Sequence, residues 1–510
     1  MFFGREGQTE QCRNVSRRFF IGGAFCFAVL GPRMAFSAKP GAFSYGTPEL
    51  AFGVLSDVHI ALERGGRRLR KTYDTEHLEK AFAYFRDNGA DAVVIAGDMA
   101  HNGCVGELRA VADAWYRVFP DDKAPDGRPV ARIFVFGNHD NGTSRAQSVF
   151  GGDEAAIRAN LLALDPKRHW DAVFHEEWSP FVRTCVRGYD FIGVNWTVGD
   201  CNGVRECFAK GLVDHYAAIG PSLDPKRPFF HVQHPHPRGT VHGDVWGQDD
   251  GESVKALSAH PNAISFSGHS HTTLIDEKAV WQGAFTALGT ATLRNVGSDG
   301  LVAGGPAPGY ENYRTPKDQA ALDALKVMPC IDRFEAKQGQ FVRVYSDRVV
   351  VQRRDFIAEA PLTDDLVIPL PAAESRPFAF ATRRANARPP RFAEGASLGF
   401  RMTTAKPRGA GKGAPAKPCV EIAVPPALAE ASAPGVAVEV VATGADGQEL
   451  KLRLLAPAFR HARGSAGARA PLKCRIALDR LAKGERVFRV FALSSWGRMS
   501  EPLVGTFKSI

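Results

Sequence analysis

Short runs of β-branched and aromatic residues recur along the first two thirds of the chain, and five of them end in a polar cluster. Runs of this kind, bounded by Gly and polar residues, are typical of buried strands that deliver side chains at their carboxyl ends. In chain order the five ends are Asp57-Val58-His59, Gly97-Asp98, Gly137-Asn138-His139-Asp140, His234 and Gly268-His269-Ser270-His271. Core packing does not require these side chains, so the pattern predicts strand ends that converge on a metal site.

Amphipathic helices are predicted between the strands. Residues 74–88 place Leu78, Phe82 and Phe85 on one stripe, and residues 107–119 repeat the pattern. Strands that alternate with helices predict an α/β sheet whose loops gather at its carboxyl edge.

The predicted α/β domain covers residues 45–360. Within it we expect strands at 49–56, 91–96, 133–136 and 190–195, an inserted helical segment at 145–188, a helix at 212–219, a long loop at 295–330 and a hairpin at 341–352.

From about Pro361 the composition changes to Pro-rich pieces that separate short alternating runs. Strands are expected at 378–382, 397–402, 420–424, 436–442, 449–455, 474–478 and 487–493. Seven short strands with turn signals between them predict an antiparallel β-sandwich. Phe488–Ala492 followed by Trp496 resembles the close of a fibronectin-type-III or immunoglobulin-like module. We therefore expect a C-terminal accessory β-sandwich domain at residues 361–510.

The net charge of +9 is unevenly distributed over a chain of 510 residues. Residues 361–510 hold 23 Lys and Arg against 12 Asp and Glu, whereas residues 39–360 hold 36 against 41. A basic C-terminal domain could attract an anionic polymer or surface, and a solvated basic surface accounts for it equally well. The charges are scattered without interleaved aromatic residues, so no specific nucleic-acid binding is inferred.

Residues 1–38 have the features of an export signal. Arg17 and Arg18 precede the apolar run 21–30, which is too short to span a bilayer, and the small residues Ser37 and Ala38 follow it. The Arg pair before Phe-Phe resembles a twin-arginine signal peptide. An uncleaved anchor helix is the alternative. We expect a periplasmic or secreted protein with no membrane span beyond the signal.

The spacing of the cysteines does not indicate a zinc ribbon. No Cys-x-x-Cys occurs among the nine Cys, which argues against a zinc ribbon and a dense disulfide framework. Cys201 and Cys207 could form a disulfide in the periplasm, and isolated buried thiols are equally compatible with the sequence.

The spacing within the polar clusters indicates cation binding. Asp57 and His59 are two residues apart, as are His269 and His271, and such pairs point to one side of an extended backbone. Oxygen and imidazole donors without thiolates suit Mn, Fe, Zn or Mg. The seven candidate metal ligands are more than one tetrahedral ion can use. They favour two divalent ions that share a carboxylate, for which Asp98 is well placed.

The five clusters, in this order, resemble the conserved blocks of the calcineurin-like metallophosphoesterases. The resemblance covers about residues 50–360 and implies a four-layer αββα sandwich with two central sheets. The ligands that it implies are Asp57, His59 and His271 for one ion, Asn138, His234 and His269 for the other, and Asp98 as the bridge. His236 is an alternative to His234.

The resemblance also implies catalytic roles. His139 would be the general acid that protonates the leaving oxygen, and Asp140 would orient His139. His101 and Asn102, which follow Asp98, could contact the substrate phosphate, and a solvated loop accounts for them equally well. His101 stands where purple acid phosphatases have a metal-binding Tyr, and Asp140 stands where they have Glu, so a ferric site of that type is disfavoured.

These observations predict an exported dinuclear phosphoesterase. A hydroxide that bridges the two metals would attack the phosphorus of a mono- or diester. A diesterase specific for a cyclic nucleotide, nucleic acid or phospholipid is one alternative, and a non-catalytic surface-binding protein with a vestigial metal site is another. Loop residues that are candidates to border the cleft are His242, Asp244, Trp246, Tyr310 and Tyr313.

Overall fold

The structure, a computed structural model, describes residues 46–61, 73–140, 152–160, 166–197, 210–242, 247–296, 336–405, 415–428 and 435–508. All elements named below belong to the unit Thr47–Ile510. The predicted export signal, the cysteines 201 and 207, and the loop candidates 244, 246, 310 and 313 lie outside the described residues, as does most of the predicted loop at 295–330.

The described residues contain seven α-helices and twenty strands. The helices are α1 (Tyr73–Asp87), α2 (Val105–Val118), α3 (Glu154–Asn160), α4 (Pro166–Phe174), α5 (Leu212–Ile219), α6 (Glu252–Leu257) and α7 (Phe380–Asn386). Within these ranges, no helix has both the length and the apolar composition that a membrane crossing requires.

Strands of the α/β part are β1 (Leu50–Leu55), β2 (Ala92–Ala96), β3 (Ala131–Val135), β4 (Phe181–Val186), β5 (Tyr189–Val194), β6 (Phe229–Val232), β7 (Ala263–Ser267), β8 (Val280–Gln282), β9 (Thr286–Gly289), β10 (Gln338–Val344), β11 (Arg348–Asp355), β12 (Ala360–Pro361) and β13 (Leu366–Pro369). They are followed by β14 (Gly399–Ala405), β15 (Lys417–Val424), β16 (Ala437–Thr443), β17 (Glu449–Leu455), β18 (Leu472–Ala477), β19 (Glu485–Leu493) and β20 (Leu503–Lys508).

Two mixed sheets form the α/β part. The first has the order β12-β11-β10-β1-β2-β3, with β13 paired to β11, and β1, β2 and β3 run parallel. The second has the order β4-β5-β6-β7-β9-β8, with β5, β6, β7 and β9 parallel. The carboxyl ends of β1, β2 and β3 are therefore neighbours, as are those of β6 and β7, and these are the strands that precede the predicted ligands.

Alternation along β1 shows how the layers pack. Phe52 lies in the core between the sheets, with its ring centroid 4.7 Å from that of Phe230 on β6 and 5.7 Å from that of Phe266 on β7. The opposite face of β1 meets α1, where Gly53 lies so close to Phe85 that a β-carbon would be 2.2 Å from the ring. Tyr216 of α5 packs on the outer face of the second sheet. Helices thus cover both sheets from outside.

Two antiparallel sheets follow the α/β part. Their orders are β14-β15-β18 and β17-β16-β19-β20, and alternate residues of both share one hydrophobic cluster. The predicted α/β fold with mixed sheets is confirmed, and so is the presence of further antiparallel sheets. A fibronectin-type-III or immunoglobulin-like identity stays a prediction. So does the domain boundary at residue 361, although pairing within the first sheet continues to Pro369.

Some predicted elements are wrong. The predicted strand at 378–382 is replaced by α7, because an alternation of two Phe residues is too short to distinguish a strand from a helical turn. The helical insertion at 145–188 also contains β4, and the sequence prediction did not include β20. The helix at 212–219 is confirmed as α5.

Gln338, the first residue of β10, connects the α/β part to the C-terminal sheets. Its Oε1 accepts hydrogen bonds from Thr273 Oγ1 and from the backbone N–H of Leu274, both at 2.9 Å. Its Nε2 donates to the carbonyl of Arg460 at 2.9 Å. Gln338 is fully buried, so each of these bonds satisfies a group that has no access to water.

Candidate metal centre

Left-handed backbone conformations position most of the predicted ligands. A positive φ angle is found at Asp57 (51°), His59 (50°), Asp98 (56°), His269 (70°) and His271 (54°). Such a conformation costs a non-Gly residue of order 1 kcal/mol or more, and residues of this kind cluster at functional sites. The extended geometry expected for the i, i+2 pairs is therefore wrong: β1 ends at Leu55, and tight turns after the strand aim Asp57 and His59.

The first group of side chains contains Asp57, His59 and His271. Nε2 of His271 lies 2.9 Å from Oδ1 of Asp57 and 3.0 Å from Nε2 of His59. Nε2 of His59 lies 3.6 Å from the same carboxylate oxygen. The three donor atoms are close enough to bind one ion together.

The second group contains Asp98, His234 and His269. Nε2 of His234 lies 3.2 Å from Oδ2 of Asp98 and 3.1 Å from Nδ1 of His269. Asn138, the remaining predicted ligand, is buried in the loop after β3. The next residue of that loop, His139, donates its backbone N–H to Oδ1 of Asp98 at 2.8 Å.

Asp98 lies between the two groups. Its Oδ2 is 3.4 Å from Nε2 of His59 as well as 3.2 Å from Nε2 of His234. We call Asp57, His59, Asp98, His234, His269 and His271 together the acid–histidine cluster. The position of Asp98 within this cluster fits a carboxylate shared by two ions.

The hydrogen bonds on the far side of the rings show that the cluster fits a cation. Nδ1 of His234 donates to the carbonyl of Ala96 at 2.8 Å, and Nδ1 of His271 donates to the carbonyl of Asn295 at 3.1 Å. In its neutral form, each ring then presents the lone pair of Nε2 to a carboxylate oxygen, and a cation between the two, whether a metal ion or a proton, stabilises this arrangement. Carbonyl partners of this kind also orient metal-binding histidines in general.

The electrostatics of the cluster agree with this fit. Burial would raise the pKa of Asp57 and of Asp98, but the neighbouring imidazoles, His271 for Asp57 and His234 for both, hold both below the usual value. Burial lowers the pKa of His59 and of His269 to about 3, which leaves both rings in the neutral form that binds metals. Burial would also lower the pKa of His234, but Asp98 and Asp57 raise it to about 9.

Three glycines make room for the ligands. A β-carbon on Gly97 would lie 2.4 Å from Nδ1 of His234, and one on Gly137 would lie 2.2 Å from Oδ1 of Asp98. A β-carbon on Gly268 would lie 2.4 Å from Oδ2 of Asp57. These three glycines directly precede Asp98, Asn138 and His269, and each is explained by the close approach of another ligand and not by a turn alone.

His139 lies beside the acid–histidine cluster. Its ring centroid is 4.5 Å from that of His59 and 5.2 Å from that of His101, on which it stacks. Nδ1 of His139 donates to the carbonyl of His101 at 2.8 Å, which fixes the ring and leaves Nε2 as the nitrogen that can transfer a proton. Nδ1 of His101 lies 3.4 Å from Nδ1 of His59, so His101 also borders the site.

Asp140 is fully buried below this loop. Its carboxylate accepts the backbone N–H groups of Gly137 (2.8 Å), Ala100 (2.7 Å) and Met99 (3.3 Å). These bonds tie the loop after β2 to the loop after β3. Burial and the nearby Asp98 raise the pKa of Asp140 to about 7. Its predicted action on the ring of His139 stays a prediction.

The alternative ligand His236 lies behind the cluster. It is buried, with Nδ1 2.8 Å from Ser267 Oγ and Nε2 2.7 Å from Ser270 Oγ. His231 has Tyr216 and Gln233 as its partners. Of the histidines near the end of β6, the structure thus places His234 in the cluster.

His242 is also buried, with Nδ1 3.2 Å from Oδ2 of Asp276. Asn102 is bound to α2, since its backbone and side-chain N–H groups donate to Glu107.

Sequence reasoning missed several residues that support the cluster. Ser56 donates to Oδ2 of Asp57 at 2.6 Å, and Thr290 donates to Ser56 at 2.7 Å. Arg294 donates to the carbonyl of His59 at 2.9 Å. Only Ser56 had a signal in the sequence, its position directly before Asp57. The ring of Trp196, after β5, lies 5.9 Å from that of His269.

Comparisons with known proteins give a family for one part of the chain. Residues 50–273 match the family model described as calcineurin-like phosphoesterase. No curated protein matches the chain. This span contains all five predicted clusters.

Several solved structures are similar to the chain at low identity. A dimetal phosphatase from Danio rerio is 12% identical, with 63% of this chain and 99% of that chain covered and a TM-score of 0.34. GAP50, the anchor in the inner membrane complex of Plasmodium, is 11% identical, with 63% and 88% covered and a TM-score of 0.34. A purple acid phosphatase from yellow lupin (Lupinus luteus) is 11% identical, with 63% and 53% covered and a TM-score of 0.34.

The similarity to this family rests on the match of residues 50–273 and on the ordered clusters within it. These clusters meet in one buried group of carboxylates and imidazoles. Residues 50–273 are thus similar to the calcineurin-like phosphoesterases.

Proposed function

We propose that this protein is an exported hydrolase of phosphate mono- or diesters that depends on two divalent metal ions. One observation carries the proposal: Asp57, Asp98 and four imidazoles converge at 2.9 to 4.0 Å in a buried cluster that is suited to cations. The family of residues 50–273 supports it.

The cluster offers a position for each of two ions. Asp57, His59 and His271 would hold one ion, Asn138, His234 and His269 would hold the other, and Asp98 would contact both. When bound, divalent ions polarise phosphoryl oxygens and lower the pKa of water. Oxygen and imidazole donors are compatible with Mn, Fe, Zn or Mg.

His139 is the proposed general acid. The bond from its Nδ1 to the carbonyl of His101 keeps the ring in one orientation. Nε2 would carry the proton that passes to the leaving oxygen of the ester. His101, which stacks on His139 and is only partly buried, would contact the phosphate on the open side of the cluster.

A panel of aryl phosphates tests the proposal. Purified protein would be loaded with Mn²⁺ or Zn²⁺ and assayed with a mono-aryl and a bis-aryl phosphate, which separates a monoesterase from a diesterase. Asp98→Ala should remove bound metal and turnover, whereas Asp214→Ala, on the exposed face of α5, should change neither. A protein that binds no metal and hydrolyses neither ester would contradict the proposal and favour a vestigial site.

The role of His139 has its own test. His139→Asn should keep the metals but lose about 10²–10⁴-fold in turnover. His175→Asn is the matched control, because His175 is exposed and distant in sequence from the five clusters. The loss should be smaller for esters whose leaving group is a weak base, since such a group needs no proton. Equal losses for all leaving groups would contradict the role of general acid.

Export is supported by the sequence alone. Arg17 and Arg18 before an apolar run have the form of a twin-arginine signal. Replacing both by Lys should retain the precursor in the cytoplasm, as measured by cell fractionation. Normal export of that variant would contradict a twin-arginine route.

A further inference from the structure

A cavity of about 550 Å³ lies between the α/β part and the C-terminal antiparallel sheets. The α/β side contributes Ile275, Leu362 and Leu366, and the C-terminal side contributes the apolar turn Pro425–Leu428 after β15. No member of the acid–histidine cluster lines the cavity. Its volume is in the range of about 300–1,000 Å³ that small-molecule sites occupy.

Arg353 of β11 lines this cavity and carries a buried charge. Its side chain is buried, with an exposed fraction of 8%. NH1 donates to the carbonyl of Leu274 at 2.9 Å, and NH2 donates to the carbonyl of Asp364 at 2.8 Å. Its buried Nε has no hydrogen-bond partner. Both partners of the guanidinium are neutral carbonyls, and among the described residues no carboxylate forms an ion pair with it. Burying a charge without a counter-ion is costly.

Two other arginines of the cavity wall, Arg383 and Arg463, differ from Arg353 because each has a carboxylate partner, and the fourth, Arg469, is exposed to solvent. NH2 of Arg383 lies 3.4 Å from Oε1 of Glu277, and NH1 of Arg463 lies 3.0 Å from Oδ2 of Asp364. Burial, and to a lesser extent these two arginines, lower the pKa of Arg353 to about 10, although Asp365 and Asp364 act in the opposite direction. At neutral pH Arg353 therefore remains a cation that lacks a counter-ion.

Asp365 is the acidic group that could oppose an anion in the cavity. Burial raises the pKa of Asp365 above its usual value, although Arg343 and Arg353 act in the opposite direction. It forms no ion pair within the described part of the chain. The wall thus combines one buried cation that forms no ion pair with mainly apolar surface.

We propose that this cavity binds a small carboxylate that has an apolar body. The carboxylate would pair with the guanidinium of Arg353, whose N–H groups suit carboxylate oxygens. The apolar body would lie against Pro425–Leu428. The ligand would supply the counter-ion that Arg353 lacks, and binding would not involve the metal centre.

Calorimetric titration of the full chain with decanoate tests this proposal. Decanoate should bind at one site per chain. Acetate, which has the head group without the body, and decyltrimethylammonium, which has the body with the opposite charge, should each bind at least about tenfold more weakly. Equal binding of the cation and the anion, or no binding of decanoate, would overturn the proposal.

Two variants and one control locate the site. Arg353→Gln should weaken decanoate binding at least about tenfold, because a charge-assisted bond is lost. Arg348→Gln, on the same strand but outside the cavity wall, should bind as the parent does. Ala427→Trp should fill the cavity and abolish decanoate binding while Arg353 is retained. If Arg353→Gln does not fold, this variant still tests whether decanoate binds in the cavity. Unchanged affinity in a folded Ala427→Trp protein would overturn the proposal.

A chelator distinguishes this cavity from the metal centre. Decanoate binding should be the same with and without excess EDTA, because the cavity contains no predicted metal ligand. Loss of binding with EDTA would place the carboxylate at the metal centre and would overturn the proposal, without bearing on the phosphoesterase activity.

Discussion

Gly137 and Asp98 are packed so closely that a β-carbon on residue 137 would lie 2.2 Å from Oδ1 of Asp98. The same oxygen accepts the backbone N–H of His139 at 2.8 Å. The loop after β3 is therefore pressed against the carboxylate that is proposed to contact both ions. This contact makes the position of Asp98 dependent on the absence of a side chain at residue 137.

Gly137→Ala should displace Asp98 or the loop that carries Asn138 and His139. We expect metal affinity and turnover to fall by about 10–100-fold, the usual cost of disturbing the groups around a metal site. Gly399→Ala in β14 is the control, because a β-carbon there makes only an ordinary contact of 3.4 Å. Metal titration and steady-state assays measure both. If Gly137→Ala bound metal as tightly as the parent protein, the close contact between residue 137 and Asp98 would not be needed for metal binding.

His236→Asn should loosen the turn that carries His269 and His271. His236 is bonded to Ser267, at the end of β7, and to Ser270, between His269 and His271, so its loss should reduce metal affinity by about 10–100-fold. His231→Asn is the matched control on the same segment: it is equally buried, but its partners are Tyr216 and Gln233. Both variants should lose stability, and only His236→Asn should lose metal affinity. Equal affinities would argue against a positioning role for His236.

Metal removal should lower the melting temperature. Ions that bind only the folded chain at about one hundred times Kd add about 2.7 kcal/mol of stability. At roughly 2–4 °C per kcal/mol for a domain of this size, EDTA should lower Tm by roughly 5–10 °C. Differential scanning calorimetry with and without Mn²⁺ measures the shift. Asp98→Ala should show no EDTA effect, and an equal shift in that variant would mean that the ions bind elsewhere.

Stability should depend on pH through the pair His242 and Asp276. Burial alone would raise the pKa of Asp276, but its hydrogen bond with His242 holds the pKa below the usual value. A carboxyl group with a lowered pKa stabilises the fold above its unfolded pKa of about 3.9, and this contribution is lost as the pH falls through the folded pKa.

Asp276→Asn should therefore reduce the free energy of unfolding by about 1–3 kcal/mol near neutral pH. The difference from the parent protein should shrink below about pH 4, where the parent carboxylate begins to be protonated. Urea unfolding across a pH series measures it, with the exposed Asp214→Asn as control. A difference that is constant or grows on acidification would refute the assignment.

The sequence predicted the α/β core well because its signals are local. Buried strands such as β1, β2 and β3 are continuous apolar runs, and the polar residues that follow them are unusual at strand ends. Position along the sheet is not local, however. That β6 and β7 bring His234 and His269 to the ends of β1 and β2 follows from packing of the two sheets, which no short pattern contains.

Backbone strain and carbonyl contacts also escaped sequence reasoning. The positive φ angles of Asp57, His59 and Asp98 cannot be read from residue type, because Asp and His adopt them more often than most residues do but still in a minority of cases. The carbonyls of Ala96 and Asn295, which orient His234 and His271, have no side-chain signature. The edge strand β20 was missed because its alternation is weak and most of its residues are at least partly exposed.

Gln338 bears on how this protein can be divided for experiments. The side-chain amide of Gln338 forms hydrogen bonds with Leu274 in the α/β part and with Arg460 in the C-terminal part. Producing the α/β part by itself would leave Nε2 of the buried Gln338 without its partner, while Oε1 of the same amide holds Leu274, three residues after His271. Activity measured on such a fragment would understate that of the intact molecule, so enzymology on this protein belongs with the whole polypeptide.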